Sequence, residues 1–353
     1  MKQGWDRALF AAALGLALIS SLAMASAGAT LPPGLVARHV TWVALGIAMS
    51  VAVAHTNYRR WTDFAWVAYG LSVIALSLVP ITGAMRLGAT RWLSIGGLSV
   101  QPSELAKLTT VWLLARVLAA SAGPLSGRRV GMSLLIVGPP AALVFLQPDL
   151  GSASVFFAIW GGMLWMAGAS RWALGALVSA LVAMLPLGWR LLRAYQRDRL
   201  LAFLNPQMDP LGAGYTIIQS TIALGAGGLW GRGWFAGTQN QLRFLPERHS
   251  DFIFSVIGEE WGFIGCLSVV MLFGVLLTRA ARLAMTTADP QGRLLAGGVG
   301  LWIGYQAFVN MGMVMGLVPV VGVPLPLVSY GGSSMVTVWV ALGFLQSIVR
   351  AER

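Results

Sequence analysis

The chain has 353 residues, with 24 Lys and Arg against 12 Asp and Glu, a formal charge of +12. Only 10% of residues are charged and 57% are hydrophobic, against about 25% charged in soluble domains, which excludes a soluble globular enzyme, a disordered chain and a collagen-like fibre. The basic residues lie between apolar runs, a pattern of cytoplasmic loops more than of a nucleic-acid partner. The single Cys266 leaves no intrachain disulfide, and His39, His55 and His249 are too scattered for a Cys/His zinc site.

A bilayer core takes about 20 apolar residues as helix. Runs of that order predict ten transmembrane helices, over 8–27, 39–55, 64–82, 103–120, 131–147, 150–168, 172–189, 252–278, 294–314 and 333–349. They are apolar all round and lack period-2 alternation, so the fold class is all-α, a single integral membrane domain over 1–353. The first run, after Lys2 and Arg7, resembles a secretory signal, but its length exceeds the usual apolar region of about 7 to 15. It is expected to be a retained helix.

Orientation follows from Lys and Arg in alternate loops. With the N-terminus inside, Lys2, Arg7, Arg59, Arg60, Arg116, Arg128, Arg129, Arg171, Arg279, Arg282, Arg293, Arg350 and Arg353 are cytoplasmic, against Arg38, Arg86 and Arg91 in the short outer loops. Both termini are therefore expected in the cytoplasm. The long segment 190–251, between the seventh and eighth helices, then lies outside.

Two groups are costly within the bilayer. Glu104 and Lys107 follow Gln101-Pro102-Ser103 at the start of the fourth helix and share one face. They read as a functional pair or as a structural clamp. Asp149, in Gln147-Pro148-Asp149-Leu150-Gly151, reads as a cap on the outer side.

A connection of about 60 residues is far above bundle-loop lengths and implies function. Leu200, Leu201, Phe203, Tyr215, Ile217 and Trp230 predict short helices lying on the membrane surface. Arg190, Arg193, Arg197 and Arg199, spaced for one helical face, would hold lipid phosphates or form a solvated edge. The glycine-rich stretch 225–237 has no strand-to-helix context and no Gly-Lys-Ser/Thr ending, so nucleotide binding has little support. An outer loop also meets no nucleotide, so a substrate should arrive already activated, most simply attached to a membrane lipid.

The loop ends in Leu245-Pro246-Glu247-Arg248-His249-Ser250-Asp251-Phe252, followed by Gly258-Glu259-Glu260. Glu247, His249, Asp251 and Glu259 are expected to cluster where the chain enters the eighth helix. Asp251 there is an N-cap, a general base at the boundary of low dielectric, or both. The last outer loop, 316–334, is uncharged and proline-rich, which prevents a continuous helix. It should fold back against protein. Its end, Ser329-Tyr330-Gly331-Gly332-Ser333-Ser334, offers amides and hydroxyls to a diphosphate or a simple serine cap.

Taken in order, Arg91-Trp92, Gln101-Pro102-Ser103-Glu104-Leu105-Ala106-Lys107, Gln147-Pro148-Asp149-Leu150-Gly151, Gly214-Tyr215 with Gln219-Ser220, Leu245 through Glu260, and Ser329-Tyr330-Gly331-Gly332-Ser333 resemble the SEDS family (shape, elongation, division and sporulation) over nearly the whole chain. The short tails look more like its RodA elongation branch than its FtsW division branch. The resemblance implies a peptidoglycan glycosyltransferase of the bacterial inner membrane. Such an enzyme polymerises lipid II into a growing glycan strand and pairs with a class B penicillin-binding protein among membrane lipids. It places the essential loop aspartate on Asp251 and the intramembrane pair on Glu104 and Lys107. Ser250, where many members have Thr, and Trp261, where a smaller aliphatic residue is common, depart from the pattern without removing a reacting group. Inversion at the donor needs one base, Asp251, with Lys107, loop arginines or a divalent cation (Mg or Mn) offsetting diphosphate charge. A lipid II flippase and a non-catalytic scaffold are the alternatives. The first predicts an inverted repeat, which the sequence lacks, and the second predicts tolerance at Asp251 and Glu104.

Overall fold

The computed structural model describes residues 4–29, 31, 33–86, 89–95, 98–120 and 125–352. Lys2, Arg353 and the side chain of Arg86, all counted for orientation, lie outside the described residues. In chain order the helices and strands are α1 (Arg7–Gly28), α2 (Leu35–Ala54), α3 (Tyr58–Asp63), α4 (Ala65–Thr82), β1 (Ala84–Arg86), β2 (Ala89–Ile95), β3 (Leu98–Val100), α5 (Pro102–Ala119), α6 (Gly127–Leu146), α7 (Leu150–Met166), α8 (Arg171–Leu191), α9 (Ala194–Leu204), α10 (Tyr215–Gly227), α11 (Thr238–Gln241), α12 (Ile253–Thr286), α13 (Pro290–Val314) and α14 (Gly332–Ala351), with one 3₁₀ turn at Pro206–Met208.

Each of the ten expected segments falls on a helix. By length and composition α1, α2, α6, α12, α13 and α14 suffice to cross a membrane, and shorter apolar helices occupy α4, α7 and α8. The starts follow local chemistry. Asp6 accepts from the Leu9 amide, Asp149 from Ser152 and Ser170 from Ala173, while Asp289 caps α13 just ahead of Pro290.

The centre of the bundle is α5, α7, α13 and α14, whose side chains are largely buried, Trp302 and Trp339 completely. Against this core pack α2 on α14, α12 on α13 and α1, and α4 on α5. The α2–α14 contact is close because its residues are small. A Cβ on Gly343 would stand 2.6 Å from the Ser50 carbonyl, and one on Gly46 would meet the Trp339 ring at 2.6 Å. Such backbone approach drives helix association where solvent gives no hydrophobic push. By contrast α8 has α7 as its main neighbour and leaves most of its length exposed.

The fold is mostly helical, and two features depart from a bundle of continuous helices. The connection from α4 to α5 is a three-stranded antiparallel meander, pairing Met85 with Thr90 and Leu93 with Val100. β1 and β3, of three residues each, are too short for a periodicity signal, and the usable cue was Gly96-Gly97 between Ile95 and Leu98, a two-residue hairpin spacing.

The eighth expected helix is also not continuous. Gly262, at φ 66° and ψ −160°, breaks α12, a conformation open essentially to glycine alone. The groups freed by the break are paired by the glycine-rich stretch. Arg232 N donates to Glu259 O at 2.9 Å and Gly233 N to Glu260 O at 3.0 Å, while Phe263 N donates to Gly228 O at 2.8 Å and Ile264 N to Leu229 O at 3.3 Å. Non-helical backbone inside a membrane protein persists when protein re-satisfies it in this way. Gly227 and Gly231 also serve close packing, since a Cβ on either would meet the Gly258 or Glu260 carbonyl, and α10 lies against α12 and α13, with Ser220 Oγ donating to Val314 O at 2.7 Å.

A carboxylate and an arginine-lined cleft at one end of the bundle

Asp251 sits just ahead of α12, half-buried, on a turn whose amides at Ser250, Asp251 and Phe252 donate to the Glu247 carbonyl. Three ties fix this turn to the bundle. Asn310 Nδ2, from α13, donates to Asp251 O at 2.9 Å and to Val323 O at 2.7 Å. Ser329 Oγ donates to Ser250 O at 2.5 Å and accepts from Leu325 N at 2.8 Å, and Tyr330 N donates to His249 O at 2.9 Å. The proline-rich loop thus lies buried against the bundle, as expected, and is fastened to the residues around Asp251.

The Asp251 side chain faces the glycine of that loop, since a Cβ on Gly322 would lie 3.2 Å from its Oδ2. Burial is the largest influence on its acidity, followed by the Glu247 carboxylate. Both raise it, Arg199 and Arg91 oppose and Asp149 adds to the rise, leaving the pKa at about 6 against an ordinary 3.8. Desolvation of the charged form is the physical cause. His249 lies against the Tyr330 ring at 5.7 Å, and burial holds its imidazole below its usual value.

Beside Asp251 runs a cleft lined by Arg91, Pro148, Leu150, Tyr195, Arg199 and Val321. The meander delivers Arg91 to this wall, where its guanidinium donates to the Gln147 and Pro148 carbonyls and stands 3.9 Å from Asp149. Asp149 is the expected cap, with Oδ1 accepting from Ser152 N at 3.1 Å. Helix α9 supplies the facing wall. Tyr195 hydroxyl donates to Pro148 O at 3.1 Å, and the Arg199 guanidinium rests on the Tyr195 ring at 5.7 Å.

Of the expected site residues, Asp251, Glu247, His249, Asp149, Arg91 and Ser329 come together here. The others stand elsewhere. Glu259 is fully buried and accepts from Thr238 Oγ1, Gln239 N and Asn240 N, so it caps α11 and joins no cluster with Asp251. Glu104 and Lys107 form a fully buried 2.8 Å ion pair. Lys107 Nζ also donates to Gln306 at 3.1 Å and lies 5.5 Å from the Trp302 ring, so it is not among the residues lining the cleft. The arginine stripe separates as well. Arg197 donates to the Trp189 and Arg190 carbonyls and closes the end of α8, Arg193 sits at the start of α9, and Arg199 alone of the four reaches the cleft. Ser333 accepts from Gln101 N at 3.2 Å, tying α14 to the start of α5, and Gln219 is half-buried on α10.

Sequence reasoning missed Asn310, Gln306 and His39. An amide inside an apolar run was the available signal for the first two. His39 is buried, with its ring 6.0 Å from Tyr330. Ser20 Oγ donates to Val328 O at 2.6 Å, so at 2.8 Å it accepts from His39 Nε2, which fixes the tautomer.

A mostly helical membrane bundle with an ionisable site at one end is the class this fold defines. The family model for FtsW, RodA and SpoVE, described as cell cycle protein, matches residues 5–353, and the chain belongs to that family. It is 42% identical over 317 residues to peptidoglycan glycosyltransferase MrdB of Escherichia coli strain K12, covering 89% of this chain and 85% of that one. It is 37% identical over 346 residues to the probable peptidoglycan glycosyltransferase FtsW of Thioalkalivibrio sulfidiphilus, covering 96% and 86%. Among solved structures, a chain of a peptidoglycan synthase complex that coordinates polymerization and crosslinking matches with TM-score 0.83 and 34% identity, covering 99% of this chain and 98% of that one. The rod shape determining protein RodA of Thermus thermophilus matches with TM-score 0.75 and 28% identity over the same shares.

Proposed function

We propose that this chain is a peptidoglycan glycosyltransferase that polymerises lipid II at the outer face of the bacterial inner membrane during elongation, by inverting transfer with loss of polyprenyl diphosphate. The observation that carries the reading is Asp251, a carboxylate raised to about 6, beside a cleft that holds Arg91 and Arg199. Asp251 takes the proton of the acceptor 4-hydroxyl. The freed oxygen attacks the donor's anomeric carbon opposite the diphosphate, and that bond's electron pair leaves with the diphosphate. Arg91 and Arg199 offset the developing charge.

Among the described residues no three carboxylate, imidazole or thiol side chains gather to hold a metal ion. A divalent cation (Mg or Mn) would therefore be held chiefly by the diphosphate of the substrate itself, and no step is routed through it. The cleft has room for about one water, about 20 Å³. A donor enters only when α9 parts from Pro148, which breaks the Tyr195 and Gln196 hydrogen bonds. In this reading ten helices span with both termini inside, an orientation supported by the Lys and Arg bias of the loops, and Asp251 is then outside. A class B penicillin-binding protein as partner suits the likeness to a synthase complex.

The test is polymerisation of labelled lipid II by purified wild type and Asp251→Asn, with and without such a partner. Wild-type polymer that the variant cannot make is expected. No polymer under any condition, with lipid II crossing liposome bilayers, would give the function to a flippase. Polymer from the variant would remove Asp251 from the chemistry.

A further inference from the structure

At the opposite end of α12 from Asp251 the bundle contains a second cavity, about 270 Å³, lined by Asp6, Arg279, Arg282, Leu283, Thr286, Thr287, Val349 and Glu352. It is built by three chain segments held together by hydrogen bonds. Gln346 of α14 exchanges two bonds with the Asp6 backbone, each 2.9 Å, and Ala288 N donates to Glu352 Oε2 at 3.2 Å.

The acidic residues in this wall are already engaged. Asp6 Oδ1 accepts from Leu9 N, and its Oδ2 from Arg279 Nε at 2.6 Å. Arg282 forms no ion pair among the described residues. Thr287 is only 3% exposed, and its Oγ1 is buried without a hydrogen-bond partner, which costs free energy unless something fills the cavity. The cavity therefore presents an unpaired guanidinium, and an unpaired hydroxyl is enclosed in its wall.

The position adds a second argument. The exposed large apolar side chains of α12 form a continuous stripe, Phe263, Ile264, Leu267, Val270, Met271 and Val275, that ends one turn short of Arg279, with the isolated Met285 exposed beyond it. A chain whose lipid-facing stripe ends there has Arg279 and Arg282 at headgroup depth.

We infer that this cavity binds a phosphate group, held by Arg282 with Arg279 behind it, and that Thr287 turns its enclosed hydroxyl onto the bound oxygen. A phospholipid headgroup and a free phosphate share that chemistry. The full chain would be reconstituted in nanodiscs of phosphatidylcholine, and its unfolding midpoint followed as phosphatidylglycerol replaces part of the lipid or as inorganic phosphate is added. Arg282→Ala and Thr287→Val are compared with wild type and with Arg128→Ala, an exposed arginine elsewhere. Loss of one charge-assisted bond should raise the half-saturating ligand fraction about tenfold in Arg282→Ala, with Arg128→Ala unchanged. A response to phosphatidylglycerol alone identifies the headgroup, and a response to inorganic phosphate identifies a soluble source. Equal midpoint shifts in wild type, Arg282→Ala and Thr287→Val overturn the site. Should Thr287→Val fail to fold, exposed Arg282 still decides the question, and Thr287→Ser should restore wild-type behaviour.

Discussion

An aspartate with a raised pKa makes a prediction about rate and another about stability, with opposite signs. Below pH 6 Asp251 is protonated and cannot act as base. The polymerisation rate should fall tenfold per unit, to about a tenth of its plateau at pH 5. Because Glu247 raises this pKa and Arg199 lowers it, Glu247→Gln should move the acidic limb to lower pH and Arg199→Ala to higher pH. For stability, the native state holds the Asp251 proton between pH 3.8 and about 6 while the unfolded chain has released it, so stability falls as pH rises through that window. A shift of about two units corresponds to no more than about 3 kcal/mol above pH 6. Asp251→Asn carries no charge and should therefore be inactive yet melt higher than wild type at pH 8, with the difference vanishing near pH 4. The assay is thermal unfolding of the detergent-solubilised protein at both pH values, alongside lipid II polymerisation across the range. A variant that melts no higher at pH 8, or a limb that ignores both neighbouring substitutions, would refute the reasoning.

Other substitutions separate tasks that neighbouring residues perform. Arg199→Ala should lower polymerisation by tenfold or more, whereas Arg197→Ala, which removes exposed bonds to the end of α8, should cost under about 1 kcal/mol and leave the rate intact, as parallel kinetics and melting would show. Asn310→Ala deletes both bonds that hold the Asp251 turn to Val323 and should lower kcat with little change in KM, measured by initial rates over a lipid II titration. Glu104→Gln leaves Lys107 buried without its counter-charge and should destabilise by about 3 to 5 kcal/mol, seen as a lower midpoint together with lost activity. Gly262→Ala places a Cβ 2.3 Å from Gly231 N in a conformation alanine resists, so it should unfold at lower temperature even where membrane insertion is normal.

The helices were legible because apolar runs of spanning length carry a strong signal, and the caps at Asp149 and Asp289 mark where two of them start. The α12 break was not legible. Its cause lies 30 residues upstream, in carbonyls and amides of the glycine stretch that pair with it, and a helix-length apolar run hides such a partner. At the site, the acids near Asp251 were found by proximity in sequence, which succeeded for Glu247 and His249 because they share its turn. It failed for Glu259, since eight residues of chain, two turns of helix, carry that side chain to α11. The arginine stripe shows the same limit. Spacing put four guanidiniums on one helix face, but α9 begins only at Ala194, so Arg190 and Arg197 meet at the junction with α8 instead.

The pairing across the break has a consequence for exchanging parts between relatives. Residues 228–233 and 259–264 complete one another's backbone bonding, although some thirty residues of chain separate them. A chimera that swaps the loop between α8 and α12 while keeping the host's α12 would join two halves of one hydrogen-bonded unit taken from different parents. Grafts that move 225–264 as a block should retain the fold, and cuts made at the apparent loop boundary near residue 251 should not.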